Sequence, residues 1–382
     1  MSGHAPPDFV CLGESMVTFL PSRPGRLADV PSFARAIGGA ESNVACALAA
    51  AGHRVRWVGR VGRDGFGHHL VETIGAHGVD VTAVGRDPHR PTGIYFRTAD
   101  DRAADAHEVV YYRAGSAASA MSPATVPYDC VADGRVLHLT GITAALSADC
   151  LALMRELTAA RPGRPLVSFD VNHRPALWRD GAAPEVLLEL ARGADVVFVG
   201  ADEAEALWGL MDPSAIRGVL PEPAVLVVKR GGEGAVAFER CAASSPTPPL
   251  PEPGAPPPGP RASNAGGADW PAQGAEFQPP ATRTPDSVTT VPAPRVDVLA
   301  PVGAGDAFAA GFLSATLRGL DMTARLRHGH LMAAAALTVP GDVAVPPRRA
   351  HADRLAALDA GAWGTLHLGP GWTGDDQEVR TP

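Results

Sequence analysis

The sequence predicts an α/β fold with a mostly parallel central sheet and a small strand layer beside it. Three observations predict it. Short apolar runs alternate with helical stretches; two β-rich pieces in the N-terminal third break that rhythm; and glycine-rich turns stand directly before helices. The runs are Phe9 to Leu12, Val55 to Val58, Val136 to Leu139, Leu166 to Asp170, Val196 to Val199 and Leu226 to Val228. Between them lie segments such as Glu41 to Ala51, so the chain reads as βαβ units, whose crossovers leave successive strands parallel. The pieces that break the rhythm are Thr18 to Ala36, and Thr92 to Tyr112 with its GIYFRT and EVVYYR. They predict a strand layer that serves as a lid over a pocket, or else a decorative hairpin.

A chain of 382 residues, 46% of them hydrophobic, can bury a full core, as one large α/β domain or two smaller ones. The net charge of −8 and a pI near 5.9 argue against nucleic acid and membrane surfaces as partners, both of which call for a basic stripe. Cys11, Cys46, Cys130, Cys150 and Cys241 are scattered and lack CxxC spacing, which points away from disulfides and zinc and toward a reducing cytoplasm. The first residues, MSGHAPPDFVCLGESM, carry no basic region ahead of a long apolar run, and no stretch of about 18 apolar residues occurs.

From Cys241 to Pro294 the composition changes: 15 of the 37 prolines fall in these 54 residues. Such a segment has too little apolar surface to order itself, so residues 241–294 are expected to be a disordered insertion between two core strands. The tail from 369 to 382 is expected to be loose.

The stretch with most chemistry in it is APVGAGDAFAAGF, residues 300 to 312. Gly303 and Gly305 let backbone approach closely, and the free N–H groups and positive dipole end of the following helix favour a phosphate or a developing negative charge. Asp306 on the first turn could take a proton from a hydroxyl attacking a phosphoryl group. The plainer reading is a loop capped by Asp306. Gly38 and Gly39 precede the helix that starts near Glu41, where backbone amides and Asn43 could meet a polyhydroxylated ligand; tight packing would also explain them. Gly59, Gly62, Gly65 and Gly67 do not spell GxGxxG, so no dinucleotide fingerprint is present.

In FDVNHRPALW a strand delivers Asp170, Asn172 and Arg174 at alternating positions before Pro175, at the strand end where open α/β sheets bind ligands. Arg174 suits a carboxylate or phosphate through its bidentate fork, with a structural ion pair as the alternative. VVKRGGEGAVAF reads as a hairpin that could lay Lys229, Gly231 and Gly234 along a nucleotide. Asp202, Glu203 and Glu205 open a helix, where acids are favoured anyway, so a part in organising Mg²⁺ is the secondary reading. His68, His69, His328 and His330 lack metal-ligand spacing. There is no GxSxG, and Ser15 has no partners for a triad.

Taken in order, GGAESNVA, YYRAGSAAS, DVNHRPALW, VVKRGGEGA and APVGAGDAFAAGF resemble the ribokinase-like (PfkB) carbohydrate kinases over residues 9–360 apart from the insertion. Within that family, YYRAGSAAS, LTGIT at 139 to 143, the LW after DVNHRP, and PVGAGDAFAAGF with a later VPGD look most like the 2-keto-3-deoxygluconate kinase branch. The resemblance implies a ribokinase-like three-layer α/β/α sandwich with lid elements at about 14–37 and 91–113. It implies ATP as phosphoryl donor, Mg²⁺ as its partner ion, a homodimer, and a cytoplasmic enzyme acting on a small sugar acid, with a monovalent cation left open. It makes Asp306 the general base and the backbone of Gly303, Ala304 and Gly305 the anion hole. Gly39, Asn43, Tyr111, Tyr112, Arg113, Arg174 and Asp342 match the sugar side, Asn172, Lys229, Gly231 and Gly234 the nucleotide side, and Glu203 an indirect metal position. Two arginines beside one ligand favour a keto-deoxy acid; fructose, ribose or another sugar acid is the alternative, and a non-catalytic sugar-binding regulator the third. Two positions depart from the family pattern: Ala300 where Asp is common, and Gly200 where Asn or Ser begins NxxE.

Overall fold

The computed structural model describes residues 6–98, 108–178, 181–241 and 285–374. The expected insertion falls largely outside the described residues, as do the tail beyond 374 and the middle of the second lid element.

Each apolar run becomes a strand of one eight-stranded sheet. From edge to edge its order is Ser287–Val291, Ala235–Glu239, Val225–Lys229, Val196–Gly200, Leu166–Asp170, Val136–Thr140, Phe9–Leu12 and Val55–Val58. The pairs from Val225–Lys229 to Val55–Val58 are parallel; the two at the opposite edge are antiparallel. Because side chains alternate along a strand, each strand feeds two cores. Phe9, Cys11, Phe198 and Val227 face one side, under the helices Ala40–Ala50, Ala304–Leu317 and Met322–Leu337. Val10, Leu12, Val199 and Val228 face the other, under Ala148–Thr158, Ala183–Arg192 and Ala201–Trp208. The result is the expected three layers.

Helix Ala304–Leu317 is apolar all round because it is buried against both the sheet and Met322–Leu337. Phe312 is fully buried and meets Phe198 edge-on at 5.3 Å between ring centroids. Gly311 permits the close approach: a Cβ there would overlap the His328 carbonyl and stand 2.7 Å from Met332 Cγ.

The lid is a four-stranded sheet in the order Phe33–Gly38, Met16–Pro21, Ile94–Arg97 and Val109–Tyr112, in which Phe19 stacks on Phe96 and meets Phe66 of helix Gly65–Ala76 edge-on. Both β-rich pieces thus form one layer.

Two expectations need correction. Residues 241–294 are not all without order: Ser287–Val291 completes the sheet edge against Ala235–Glu239, and its Val291 is buried. The ladder hydrogen bonds of an edge pair order a strand whose own side chains bury little. Nor does the loose tail begin at 369, since Trp372 is 4% exposed within the core. One large aromatic is enough to dock a turn.

Candidate active site

The carboxyl ends of the parallel strands carry the polar residues, and three adjoining cavities run along them. The first, about 210 Å³, lies under the lid and is lined among others by Glu14, Tyr95, Arg113, Arg174, Asp306 and Asp342. The second, about 360 Å³, takes in Asp170, Asn172, Glu203 and Lys229. The third, about 630 Å³, runs past Gly231, Gly234, Phe308, His330 and Ala334. Arg174, Gly303 and Asp306 belong to the first two, and Lys229, Gly231 and Gly305 to the last two, so they form one groove.

Asp306 stands where the first two cavities meet. The chain enters its helix through Gly303, at φ 79° and ψ −6°, a left-handed turn that glycine adopts without strain. The first intrahelical bond runs from the Ala307 N–H to the Gly303 carbonyl at 2.9 Å. The N–H groups of the expected anion-hole residues Gly303, Ala304 and Gly305, and that of Asp306, precede it and have no intrahelical acceptor, the arrangement an anion hole would need. Asn43, from helix Ala40–Ala50, donates its amide to Asp306 Oδ2 at 2.9 Å. Burial pushes the Asp306 carboxyl up to about 7; the Asn43 bond, Arg174 and Lys229 oppose the rise and Asp170 adds to it. A carboxyl poised there is a usable base at neutral pH.

With Asp306 as the base, only its ionised form could accept a proton, so kcat/KM for the sugar is expected to be level above pH 8 and to fall about tenfold per pH unit well below 7. A rate profile from pH 5 to 9 that stays flat through 6 would remove Asp306 as the titrating group.

Lys229 ends its strand with Nζ donating to Asp170 at 3.0 and 2.8 Å. Burial works against its charge, but the carboxylates of Asp170 and Glu203 outweigh that and hold its pKa above the ordinary value. The ammonium therefore remains charged beside Gly305, where a Cβ would stand 3.6 Å from it.

Of the residues expected on the sugar side, Gly39, Asn43, Tyr111, Arg113, Arg174 and Asp342 line the first cavity. Tyr112 does not: it is 62% exposed, with its ring edge-on to Phe96 on the opposite face of the lid. Neighbours on a strand point to opposite faces, so Tyr111 and Tyr112 could not both reach the cavity. The Asp342 carboxylate is engaged by the Tyr95 hydroxyl at 3.1 Å and by Arg97 at 3.2 Å. On the nucleotide side, Lys229, Gly231 and Gly234 line the third cavity, while Asn172 lies in the middle one. Asn172 gets there by a turn, not by pleat alternation, since the strand ends at Asp170 and Asn172 has φ 41°.

Both oxygens of Glu203 are occupied by backbone. Oε2 accepts the Gly200 N–H at 2.8 Å and Oε1 the His173 N–H at 3.0 Å. Gly200 contributes only its main-chain N–H to this bond, which is why the absence of a side chain at that position leaves it intact. Among the described residues no group of three or more His, Cys, Asp or Glu side chains could hold a metal ion.

Sequence reasoning missed Glu14 and Tyr95 as cavity residues, and Tyr95 and Arg97 as the groups that hold Asp342. For the last two, a signal was present in IYFR, whose alternation puts both on one face of the lid. Glu14 had no local signal; its partners Arg113 and Ser116 lie about a hundred residues on.

The sequence model of the pfkB family carbohydrate kinases matches residues 7–253 and 281–349. A 2-dehydro-3-deoxygluconokinase of Bacillus subtilis (strain 168) is 33% identical over 361 residues, covering 92% of this chain and 96% of the relative. A fructokinase-2 of Solanum habrochaites is 32% identical over 230 residues, covering 59% and 70%. The crystal structure of a PfkB protein from Polaromonas sp. JS666 superposes with a TM-score of 0.70 at 30% identity, covering 92% of this chain and 100% of that one. No helix of the described residues is long and apolar enough to cross a membrane.

Proposed function

The chain belongs to the pfkB family of carbohydrate kinases, and on that premise we propose that it transfers the γ-phosphoryl group of ATP to the terminal primary hydroxyl of 2-keto-3-deoxygluconate, giving 2-keto-3-deoxy-6-phosphogluconate. The observation that carries the proposal is the placing of Asp306 between a lid-covered cavity holding Arg113 and Arg174 and a larger, more apolar cavity beyond Lys229. In this reading the sugar lies in the first cavity with its carboxylate toward the two arginines, the nucleotide lies in the third, and its phosphates run past Lys229. Asp306 accepts the hydroxyl proton as the oxygen attacks phosphorus. The amides of Ala304, Gly305 and Asp306 receive the charge that spreads over the transferring group, and Lys229 adds a positive charge on the same side.

Mg²⁺ entering with the nucleotide would neutralise phosphate charge and would be held chiefly by the phosphates, since Asp170 is paired with Lys229 and Glu203 with backbone amides. With both its oxygens on backbone amides, Glu203 would act there only indirectly, by holding the 171–174 loop. The same reading makes the protein a cytoplasmic homodimer.

A second reading keeps the chemistry and changes the sugar to a neutral one. It is favoured by the Glu14 carboxylate, which already pairs with Arg113 in the cavity wall. Coupled ADP release over 2-keto-3-deoxygluconate, 2-keto-3-deoxygalactonate, gluconate, fructose and ribose separates the two. Turnover confined to the keto-deoxy acids, with kcat/KM reduced about 100-fold in Arg113→Ala, is the expected result. Turnover of fructose or ribose, insensitive to Arg113→Ala, would establish the second reading.

A further inference from the structure

Glu14, two residues past the Phe9–Leu12 strand, is 2% exposed and carries a charge that the mechanism above leaves without a task. Its Oε1 accepts the Ser116 hydroxyl at 2.7 Å, and its Oε2 forms an ion pair with Arg113. The pair is enclosed, with the arginine side chain 10% and the glutamate side chain 1% exposed. The surroundings are shaped to it. A Cβ on Gly93, just ahead of lid strand Ile94–Arg97, would stand 2.9 Å from Glu14 Oε1. A Cβ on Gly39 would press on the Glu14 carbonyl. Tyr111 lies alongside, with the Arg113 guanidinium carbon 5.6 Å from its ring centroid.

A lone arginine in a cavity wall would sample many rotamers and lose them when a ligand bound, and a buried charge without a partner is costly. Glu14 removes both difficulties in advance. It leaves the guanidinium within reach of a ligand, since Arg113 still lines the first cavity.

We propose that Glu14 is a positioning residue for sugar recognition: it fixes the Arg113 guanidinium in the cavity wall before the sugar arrives, and thereby sets how tightly the site holds the end of the sugar that Arg113 meets. The proposal rests on Arg113 being a substrate contact, and assigns Glu14 an effect on the sugar exerted through that arginine.

The test is a double-mutant cycle of Glu14→Ala, Arg113→Ala and the pair together, using whichever sugar the wild-type enzyme turns over. Glu14→Ala is expected to raise KM for that sugar about tenfold with kcat held within about threefold. In the Arg113→Ala background the same change is expected to add nothing, because the group it positions is gone. Glu14→Ala is also expected to melt below the wild type and the double variant above Glu14→Ala, since only the single variant buries an unpaired guanidinium. Glu14→Gln keeps an acceptor for Arg113 and is expected to show a smaller rise in KM; it decides the matter if Glu14→Ala does not fold. KM effects that multiply in the double variant, or a loss in kcat at unchanged KM, would overturn the proposal. The wild-type sugar panel reports separately on substrate class: a neutral-sugar enzyme sinks the acid reading, while the cycle on that neutral sugar still decides for or against Glu14.

Discussion

Replacing Asp306 with asparagine is expected to lower kcat by about 10³-fold while KM for the sugar and for ATP moves only a few-fold. The side chain keeps its shape and can still accept the Asn43 amide through its carbonyl oxygen, so the groove stays as it is. What disappears is the ability to take the proton. Stability should move the other way. A carboxyl whose folded pKa is raised destabilises the fold once the pH passes the unfolded value, and the penalty is complete above the folded one, here about 7. The neutral amide escapes it, so the variant is expected to melt no lower than the wild type at pH 8. Coupled ADP release and a thermal melt on one preparation check both. Turnover within tenfold of the wild type would dismiss Asp306 as the base, and a collapsed melt would make the kinetic loss uninformative.

Gly303→Ala is expected to cost about 10²-fold in kcat and several degrees in melting temperature. Any side chain there must adopt φ 79°, which costs about 1–2 kcal/mol outside glycine. Its Cβ would also overlap the Asp342 carbonyl oxygen and stand 3.4 Å from the Asp342 Cα. Backbone cannot move aside as a flexible side chain can. The turn must shift, and the amides of Ala304, Gly305 and Asp306 shift with it, away from where charge develops. Gly319→Ala makes the comparison fair: its φ is 71°, but a Cβ there would meet no atom within 4 Å, and the position is remote from the groove. If both variants lose kcat equally, the anion-hole argument fails; if only Gly303→Ala does, the loss belongs to the loop.

The strands were legible because each is a short apolar run between polar turns, and Leu166–Asp170 was read to the residue. The anion-hole turn was legible for a similar reason: Gly303, Gly305 and Asp306 are neighbours in sequence as well as in space. What escaped was whatever depends on separation. Arg97 meets Asp342 across 245 positions, and Glu14 meets Ser116 across 102, so no local spacing could announce either contact. The DVN segment shows a subtler failure. Asp170, Asn172 and Arg174 beyond it do line one cavity, but the left-handed turn at Asn172, not strand alternation, brings them there. Trp372 was overlooked because one tryptophan among glycines carries no periodicity.

Asp342 meets the lid with its side chain and the start of helix Ala304–Leu317 with its main chain. Tyr95 and Arg97 hold the carboxylate, while the carbonyl of the same residue abuts Gly303. In the proposed reading, the roof over the sugar and the floor beneath the phosphoryl group therefore share a hinge pin. A tilt of the lid would reach the amide nest through Asp342 as well as through the Gly38–Asn43 turn, so a nucleotide arriving under an open roof would find that nest less firmly braced.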